Sequence, residues 1–407
     1  MDKSTFKILV LDDEPFMLRL IVRILVDQGF ERVTGCDNGR VALDHVSSSR
    51  PPGLILSDLN MPEMDGIEFI RKLVERSYTG SLILVSGEDE RVLQTAERLV
   101  QAHRITLLGH LKKPVSPAGL TKLLEKWSPP SSGSSRAARK VYSADEVRAA
   151  IANGELVNHY QPEVALATGQ VTGVETLVRW RHPRDGMVYP DQFIGVAEEH
   201  GLIDDLTYAV IAAALAKTRS WHEAGLELKV AVNVSMDNLA SLASLAFPGD
   251  VADLATVAGV MPQSVMLEVT ESRLMGDLRA PLEILARLRL KRFGLSIDDF
   301  GTGHSSLVQL RDIPFSQLKV DQSFVHGAHA NETIRAIFFA SVNLGKQLGM
   351  EVVAEGVEDR ADWDFLRQTG CDLAQGYFIA KPMAAADLPG WIVTWSARLA
   401  KLLGPTE

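Results

Sequence analysis

The chain of 407 residues holds only two cysteines, Cys36 and Cys371. They stand far apart and without metal-ligand spacing. That excludes a disulfide scaffold and a thiolate-held zinc site, and both read as reduced packing residues. Basic excess is missing too: 42 Lys and Arg against 52 Asp and Glu leave a formal net charge of -10. A general duplex-DNA binder carries a basic footprint, so direct DNA binding is excluded, although a small nucleotide held by a local cation is not. Long hydrophobic runs are absent as well. The longest apolar stretch, around Tyr208 to Ala216, falls far short of a membrane span. The opening MDKSTFKILVLDDE moves from polar residues straight into a strand-like run, without a signal-peptide pattern. A cytoplasmic protein with no membrane contact is expected.

What is present is an ordinary globular composition, 46% hydrophobic and 23% charged, on a chain long enough for one small domain plus one barrel. The run SPPSSGSSRAAR, Ser128 to Arg139, has no hydrophobic periodicity and cannot bury enough surface to order itself. It marks a flexible linker over 128–141 between an N-terminal unit, 1–127, and a C-terminal unit, 142–395, with a tail over 396–407.

The N-terminal unit alternates short apolar runs (KILVLDD, RVTGC, LILSD, SLILVSG, TLLGHLKK) with amphipathic stretches at Phe16 to Gln28, Arg40 to Val46, Ile67 to Glu75, Arg91 to Ala102 and Pro117 to Trp127. Five β-α units in this rhythm predict a doubly wound, five-stranded parallel sheet. Ligands of such sheets collect at the carboxyl ends of strands, which here carry Asp12, Asp13, Asp58, Ser86 and Lys113. Three carboxylates can hold one hard divalent ion, Mg2+ by preference. Asp58 can attack phosphorus, and Ser86 with Lys113 can bind the resulting acyl phosphate. On these residues, with Asp58 inside SDLNMPEMDG and Lys113 before Pro114, residues 5–127 resemble a flavodoxin-like response-regulator receiver domain. The resemblance implies Asp58 as phosphoacceptor and a sensor histidine kinase as phosphodonor. His110 stands where receivers commonly carry the Tyr or Phe of the switch.

The C-terminal unit offers HYQPEVAL, VTGVETLVRW, AVNVS, VMLEVTE, LSIDDFG, QLKVDQSF, EVVAEGVE and LAQGYF, mostly separated by helix-length segments. This alternation over about 250 residues predicts a TIM-like (β/α)8 barrel, whose functional side chains gather at the C-terminal mouth. Glu175, Asn233, Glu268, Asp298, Asp299, Lys319, Glu355 and Gln375 fall at or near the ends of seven of these runs. Adjacent carboxylates such as Asp298 and Asp299 repel by roughly 4 kcal/mol at 4 Å and an effective dielectric near 20, unless a cation lies between them. The five carboxylates of the set are neutralised by two divalent ions and Lys319. All-oxygen ligation favours Mg2+ or Mn2+, and paired ions suit in-line phosphodiester displacement.

The motifs YQP at 160–162, ETL at 175–177, RWRHP at 179–183, NVS at 233–235, EVTE at 268–271, DDFGTG at 298–303, LKVDQSF at 318–324, EGVE at 355–358 and QGYF at 375–378 resemble an EAL-type cyclic di-GMP phosphodiesterase over essentially the whole unit. Thr176 replaces the signature alanine, and His304 the tyrosine frequent in the glycine-rich loop.

The resemblance implies that Glu175, Asn233, Glu268 and Asp298 hold one metal, with Asp298 shared. Asp299 would hold the second, and Glu355 would reach it directly or through water while also being the general-base candidate. Lys319 would orient water or stabilise developing charge. Arg179 is expected on substrate phosphate. Gln161 and Gln375 would contact guanine or phosphate, or else satisfy strand-end backbone groups. Glu271 would tether the 298–306 loop or simply start a helix; Glu358 is expected to cap the helix after the EGVE run, and His182 to buttress its turn. Family analogy also implies a homo-oligomer. The expected activity is opening of cyclic di-GMP to linear pGpG under phosphorylation control. The rivals are a binding-only sensor and a hydrolase of another small cyclic dinucleotide. No GGDEF stretch or helix-turn-helix follows the linker.

Overall fold

The computed structural model describes residues 6–48, 50–76, 78–87, 93, 96–97, 100, 105–125, 127, 142–239, 245–270, 279–302 and 307–403. The linker 128–141, Glu271, His304 and most of the helix expected over 91–102 lie outside the described residues. The chain forms two compact units, Met1–Ala138 and Arg139–Glu407.

In the first unit, β1 (Lys7–Leu11), β2 (Arg32–Cys36), β3 (Leu54–Asp58), β4 (Ser81–Ser86) and β5 (Thr106–Lys112) form an all-parallel sheet of order 2-1-3-4-5. Strands β3 and β4 are buried at every residue, which is why they read as continuous apolar runs rather than alternating ones. Two separate clusters cover the faces, one with Ile55, Leu82 and Phe69, the other with Val10, Ile83 and Ile21. Helices α1 (Pro15–Asp27), α2 (Gly39–Val46), α3 (Gly66–Glu75) and α4 (Pro117–Glu125) supply much of that cover. Pro15 opens α1 where no amide donor is needed, and the Asp65 carboxylate accepts from Glu68 N–H to start α3.

In the second unit, β6 (Leu156–Ala165), β7 (Val171–His182), β9 (Lys229–Asn233), β10 (Val265–Thr270), β11 (Gly294–Phe300), β12 (Gln317–Val320), β13 (Glu351–Ala354) and β14 (Leu373–Ala374) close into an eight-stranded barrel. Short strands β8 (Gly186–Val188) and β15 (Met383–Ala384) pair on β7 and β6 outside this ring. The barrel is TIM-like with one departure. Strand β6 runs antiparallel to both neighbours, because a tight turn rather than a helix joins it to β7, with Gly169 at φ 71°.

Helices α5 (Ala144–Ala152), α6 (Ile194–Glu199), α7 (Ile203–Glu223), α8 (Phe247–Ala258), α9 (Arg279–Leu290), α10 (Leu307–Asp312), α11 (Gln322–Val325), α12 (Glu332–Gln347), α13 (Arg360–Leu366) and α14 (Leu388–Leu403) accompany the strands. A reciprocal capping box between Ser143 and Glu146 starts α5. The tail expected from 396 is instead helical to Leu403, since the apolar side of α14, with Trp391, Trp395, Leu399 and Leu402, packs on the barrel core. Among the described residues no helix is long and apolar enough to cross a membrane.

Candidate functional site

The barrel mouth is built around one buried lysine. Lys319 on β12 is fully buried, with its ammonium 2.7 Å from Glu355 Oε1, 3.2 Å from Glu268 Oε1, and 3.5 Å from both Glu175 Oε2 and Asp298 Oδ1. Strand pairing brings the carboxylates there: Glu268 on β10 is in register with Asn233 on β9, and Thr270 with Asp298 on β11. Glu175 is held on both oxygens, by Asn233 Nδ2 at 2.9 Å and Gln375 Nε2 at 2.7 Å.

Adjacent strand residues normally face opposite ways. The β11–β12 register, however, shifts between Ile297 and Phe300, and Asp299 adopts the left-handed region at φ 56°. This bulge turns Asp298 and Asp299 to one side, so that Asp298, Asp299 and Glu355 each place an oxygen within 4.8 Å of the others. A non-glycine residue in this backbone region stores of order 1–3 kcal/mol, a cost tolerated mainly at functional sites.

Burial and mutual charge shape the protonation of the set. Burial alone would lower the Lys319 pKa, but the surrounding carboxylates outweigh it and hold it well above its ordinary value. Burial pushes Glu268 well above the carboxylate range and Glu355 to about 8, with Lys319 pulling each back. Asp299 rises to about 6, through burial and then the charges of Asp298 and Asp321. For Glu175 burial also opposes ionisation, yet Lys319, Gln375 and Asn233 prevail and its pKa is lowered.

The donor set fits divalent cations. Both Glu268 oxygens are buried without a hydrogen-bond donor, leaving them to a positive charge, and the ligands on offer are hard oxygens.

Gln161, Glu175, Asp299, Asp321, Gln322, Glu355, Gly356, Glu358, Gln375, Gly376 and Tyr377 line a cleft of about 250 Å3 at this mouth. Gln161 donates to the Ala380 carbonyl at 3.1 Å, while Gln375 orients Glu175, so the amide donors of both are engaged with protein. Arg179 is buried on β7, donates to the Val178 carbonyl, and lies 5.1 Å over the Tyr189 ring. Its neighbour Val178 lines a second, largely apolar cavity of about 350 Å3 that shares Asn233 with the carboxylate set and is walled by Thr176, Pro190, Ile194 and Thr207.

His182 Nδ1 accepts from the backbone N–H groups of Arg184 and Asp185, buttressing its turn. The cap after β13 is Asp359, which accepts from Asp362 N–H, rather than Glu358, which lines the cleft. The reason is position: Asp359 has the extended backbone of an N-cap directly before α13.

Two acidic residues escape the sequence reading. Asp321 lines the cleft, and the spacing Lys319-x-Asp321 at a strand end is the signal that points to it. Glu163 carries no comparable signal. It lies buried on β6 opposite Gly173, where any side chain would come within 3.3 Å of its Oε2, and its Oε1 has no hydrogen-bond donor. Burial pushes its carboxyl up to about 7, Lys319 lowering and Glu175 raising it.

An acid whose folded pKa is raised loses stability as pH climbs from about 4.5 through about 7. Glu163→Gln is therefore expected to stabilise the metal-free protein by on the order of 3 kcal/mol at pH 8, with little effect at pH 5. Urea unfolding at the two pH values checks it, and equal effects at both would contradict it.

In the first unit Asp12, Asp13 and Asp58 each place an oxygen within 4.8 Å of the others. Lys113 Nζ lies 2.7 Å from Asp58 Oδ2 and 3.0 Å from Asp12 Oδ2. Burial raises the Asp12 carboxyl despite Lys113, and Asp58 and Asp12 raise Lys113 against its own burial. Ser86 ends β4 buried beside this group, its carbonyl accepting from Lys113 N–H. His110 sits half-buried on β5, with Nδ1 2.8 Å from Glu97 Oε1. The donor set suits one hard cation beside a carboxylate and an ammonium.

A doubly wound sheet with an acid cluster and lysine at its strand ends, and a barrel with a lysine-centred carboxylate mouth, define a two-domain α/β protein of phosphoryl chemistry. Known families match both parts: the "Response regulator receiver domain" over residues 8–125 and the "EAL domain" over 144–382. The chain belongs to the EAL-domain family and carries a response-regulator receiver domain before it.

It is 34% identical over 383 residues to "Cyclic di-GMP phosphodiesterase RocR" of Pseudomonas aeruginosa, covering 93% of this chain and 97% of that protein. It is 43% identical over 254 residues to "Cyclic di-GMP phosphodiesterase NbdA" of the same organism, covering 62% of this chain but 32% of that longer protein. Among solved structures, "PaMucR Phosphodiesterase, c-di-GMP complex" aligns with a TM-score of 0.56 and 39% identity, over 60% of this chain and 98% of that one.

Proposed function

We propose that the protein is a phosphorylation-regulated phosphodiesterase that hydrolyses cyclic di-GMP to linear pGpG. The observation that carries this reading is the convergence of Glu175, Glu268, Asp298 and Glu355 on one fully buried ammonium, with the bulge adding Asp299. The names of RocR and of the PaMucR complex, at 34% and 39% identity, support the substrate. The EAL domain spans 142–403 in this reading, the linker 128–141 and the receiver 1–127.

Glu175, Asn233, Glu268 and Asp298 would hold one Mg2+ or Mn2+, with Asp298 shared; Asp299 would hold the second, which Glu355 would reach directly or through water. Bound there, the ions supply Lewis-acid charge to the phosphoryl oxygens and lower the pKa of attacking water. Glu355 would take a proton from the attacking water as the phosphorus–oxygen bond to the leaving ribose oxygen breaks, that oxygen being protonated from solvent, and Lys319 would balance charge developing on the phosphoryl oxygens. Gln375 and Asn233 keep Glu175 oriented, the role that partners of metal-binding carboxylates commonly have. Arg179 serves a substrate phosphate, and the apolar cavity lined by its neighbour Val178 accepts a guanine face, with Gln161 lining the cleft.

In the receiver, Asp12, Asp13 and Asp58 would hold one Mg2+, a sensor histidine kinase would be the phosphodonor, and Asp58 the phosphoacceptor. Ser86, Lys113 and His110 read its state. A homo-oligomer in the cytoplasm completes the reading.

Isothermal titration with Mn2+ tests the ligand sets: the whole chain is expected to take up one receiver ion and two barrel ions, and Asp298→Ala only the receiver ion. Loss of a single ion in Asp298→Ala would contradict the shared ligand. Asp58→Asn is expected to abolish uptake of phosphate from acetyl phosphate while leaving the unphosphorylated turnover in place. Phosphate incorporation that persists in this variant, seen by intact mass, would contradict the receiver assignment.

A further inference from the structure

Beyond the metal-binding mouth, one buried carboxylate joins two of the loops that form the cleft. Asp362 on α13 is fully buried. Its Oδ1 accepts from Gly327 N–H at 3.0 Å, and its Oδ2 accepts from Glu358 N–H at 3.2 Å and lies 2.8 Å from His326 Nδ1. His329 Nδ1 stands 3.4 Å from Oδ1, and His326 Nε2 lies 3.8 Å from Glu358 Oε2. Burial alone would raise the Asp362 pKa; the His326, Gly327 and Glu358 donors outweigh it and hold it below the ordinary value.

These partners belong to different segments. Gly327 and His326 end the short turn whose start, Asp321 and Gln322, lines the cleft; Glu358 closes the loop that carries Glu355 and Gly356 into it. The two segments also touch directly, since any side chain at Gly356 (φ 68°) would come within 2.2 Å of Gln322 Cβ. The 355–358 loop is also fixed by backbone bonds, Glu355 N–H to Val320 O, Val357 N–H to Gln375 O and Phe378 N–H to Val357 O, and by the Lys319–Glu355 ion pair.

We infer that Asp362, with His326, is a positioning residue for phosphodiester hydrolysis: it ties the loop carrying Glu355 to the segment carrying Asp321 and so sets the geometry of the second metal's ligands. The inference rests on the function proposed above. Asp362 is not one of the ligands assigned to the two barrel ions and acts through the Glu358 amide.

Asp362→Asn tests the tie at nearly unchanged volume. A carboxylate accepts from all three donors, whereas an amide has one acceptor oxygen and turns its NH2 on at least one of the backbone N–H groups. Hydrogen exchange of the Val357 and Glu358 amides in the metal-free protein is expected to quicken roughly tenfold, the equivalent of one hydrogen bond to a charged group. The Mn2+ concentration for half-maximal turnover is expected to rise about tenfold and kcat to fall about tenfold, the usual effect of losing an outer partner of a metal site. KM for cyclic di-GMP stays within about twofold, because Gln161 and Arg179 stand on strands β6 and β7 away from the tie.

If Asp362→Asn does not fold, His326→Ala decides, since that side chain is about half exposed. It is expected to quicken Glu358 exchange about threefold. Exchange and Mn2+ dependence equal to wild type in the folded variant overturn the inference. A wild-type protein with no turnover overturns the proposed activity instead, and the exchange measurement still reads the tie.

Discussion

Lys319→Met is expected to destabilise the metal-free protein by about 3–5 kcal/mol and to leave no measurable turnover. The side chain is fully buried, and Glu268 beside it is equally buried with no hydrogen-bond donor on either oxygen. Methionine fills most of the volume but removes the one positive charge that, among the described residues, pairs with Glu175, Glu268, Asp298 and Glu355. The carboxylates respond by taking up protons, so the deficit has a definite pH sign. Glu268 and Glu355, whose carboxyl groups burial already raises against the pull of Lys319, rise further without it, and the protonated forms that relieve repulsion fade as pH increases. The loss is thus expected to be larger at pH 8 than at pH 6. Urea unfolding in chelator at both values checks this, and a variant as stable as wild type at pH 8 would mean the mouth is already neutral without the lysine. The loss of turnover has a separate origin, the missing charge opposite the phosphoryl group.

The second large effect separates chemistry from folding. Asp298→Ala is expected to lower turnover of cyclic di-GMP by at least about a thousandfold, because Lewis-acid charge is worth several kcal/mol in the transition state. Metal-free stability is expected to hold or increase, since the substitution removes one of several crowded like charges and relieves Asp299, whose carboxyl its neighbour pushes up. Opposite signs for the two readouts mark a residue kept for function. A variant that loses activity only in proportion to its lost folded fraction would contradict that assignment.

The receiver sheet was readable from sequence because parallel strands covered on both faces leave unbroken apolar runs, as in LILSD and SLILVS. The barrel's mouth was readable for a related reason: acidic residues stand at the ends of such runs, where solvation alone is a poor explanation. Three features were not legible. The reversed direction of β6 depends on the tight Leu166–Gly169 connection, whose local pattern does not distinguish it from a longer crossover. Strand alternation predicts that Asp298 and Asp299 diverge, and the bulge that aligns them exists only in the pairing with β12. Glu163 and Asp362 sit inside apolar or helical stretches, and their partners lie on other segments, Asp362 binding Gly327 across 35 positions. Spacing along the chain carries no trace of such contacts. Gln375, expected toward substrate, donates to Glu175 across the barrel for the same reason.

The central claim is metal-dependent cleavage of a phosphodiester at the Lys319-centred mouth. Its most direct test is incubation of the purified full chain with cyclic di-GMP and Mg2+ or Mn2+, with a chelated control, followed by separation of the nucleotides. The account predicts linear pGpG in the presence of metal, none with chelator, and none from Glu175→Ala. Cyclic di-GMP bound by the protein yet recovered intact with either metal, whether or not the receiver is phosphorylated, would contradict it and make the barrel a sensor.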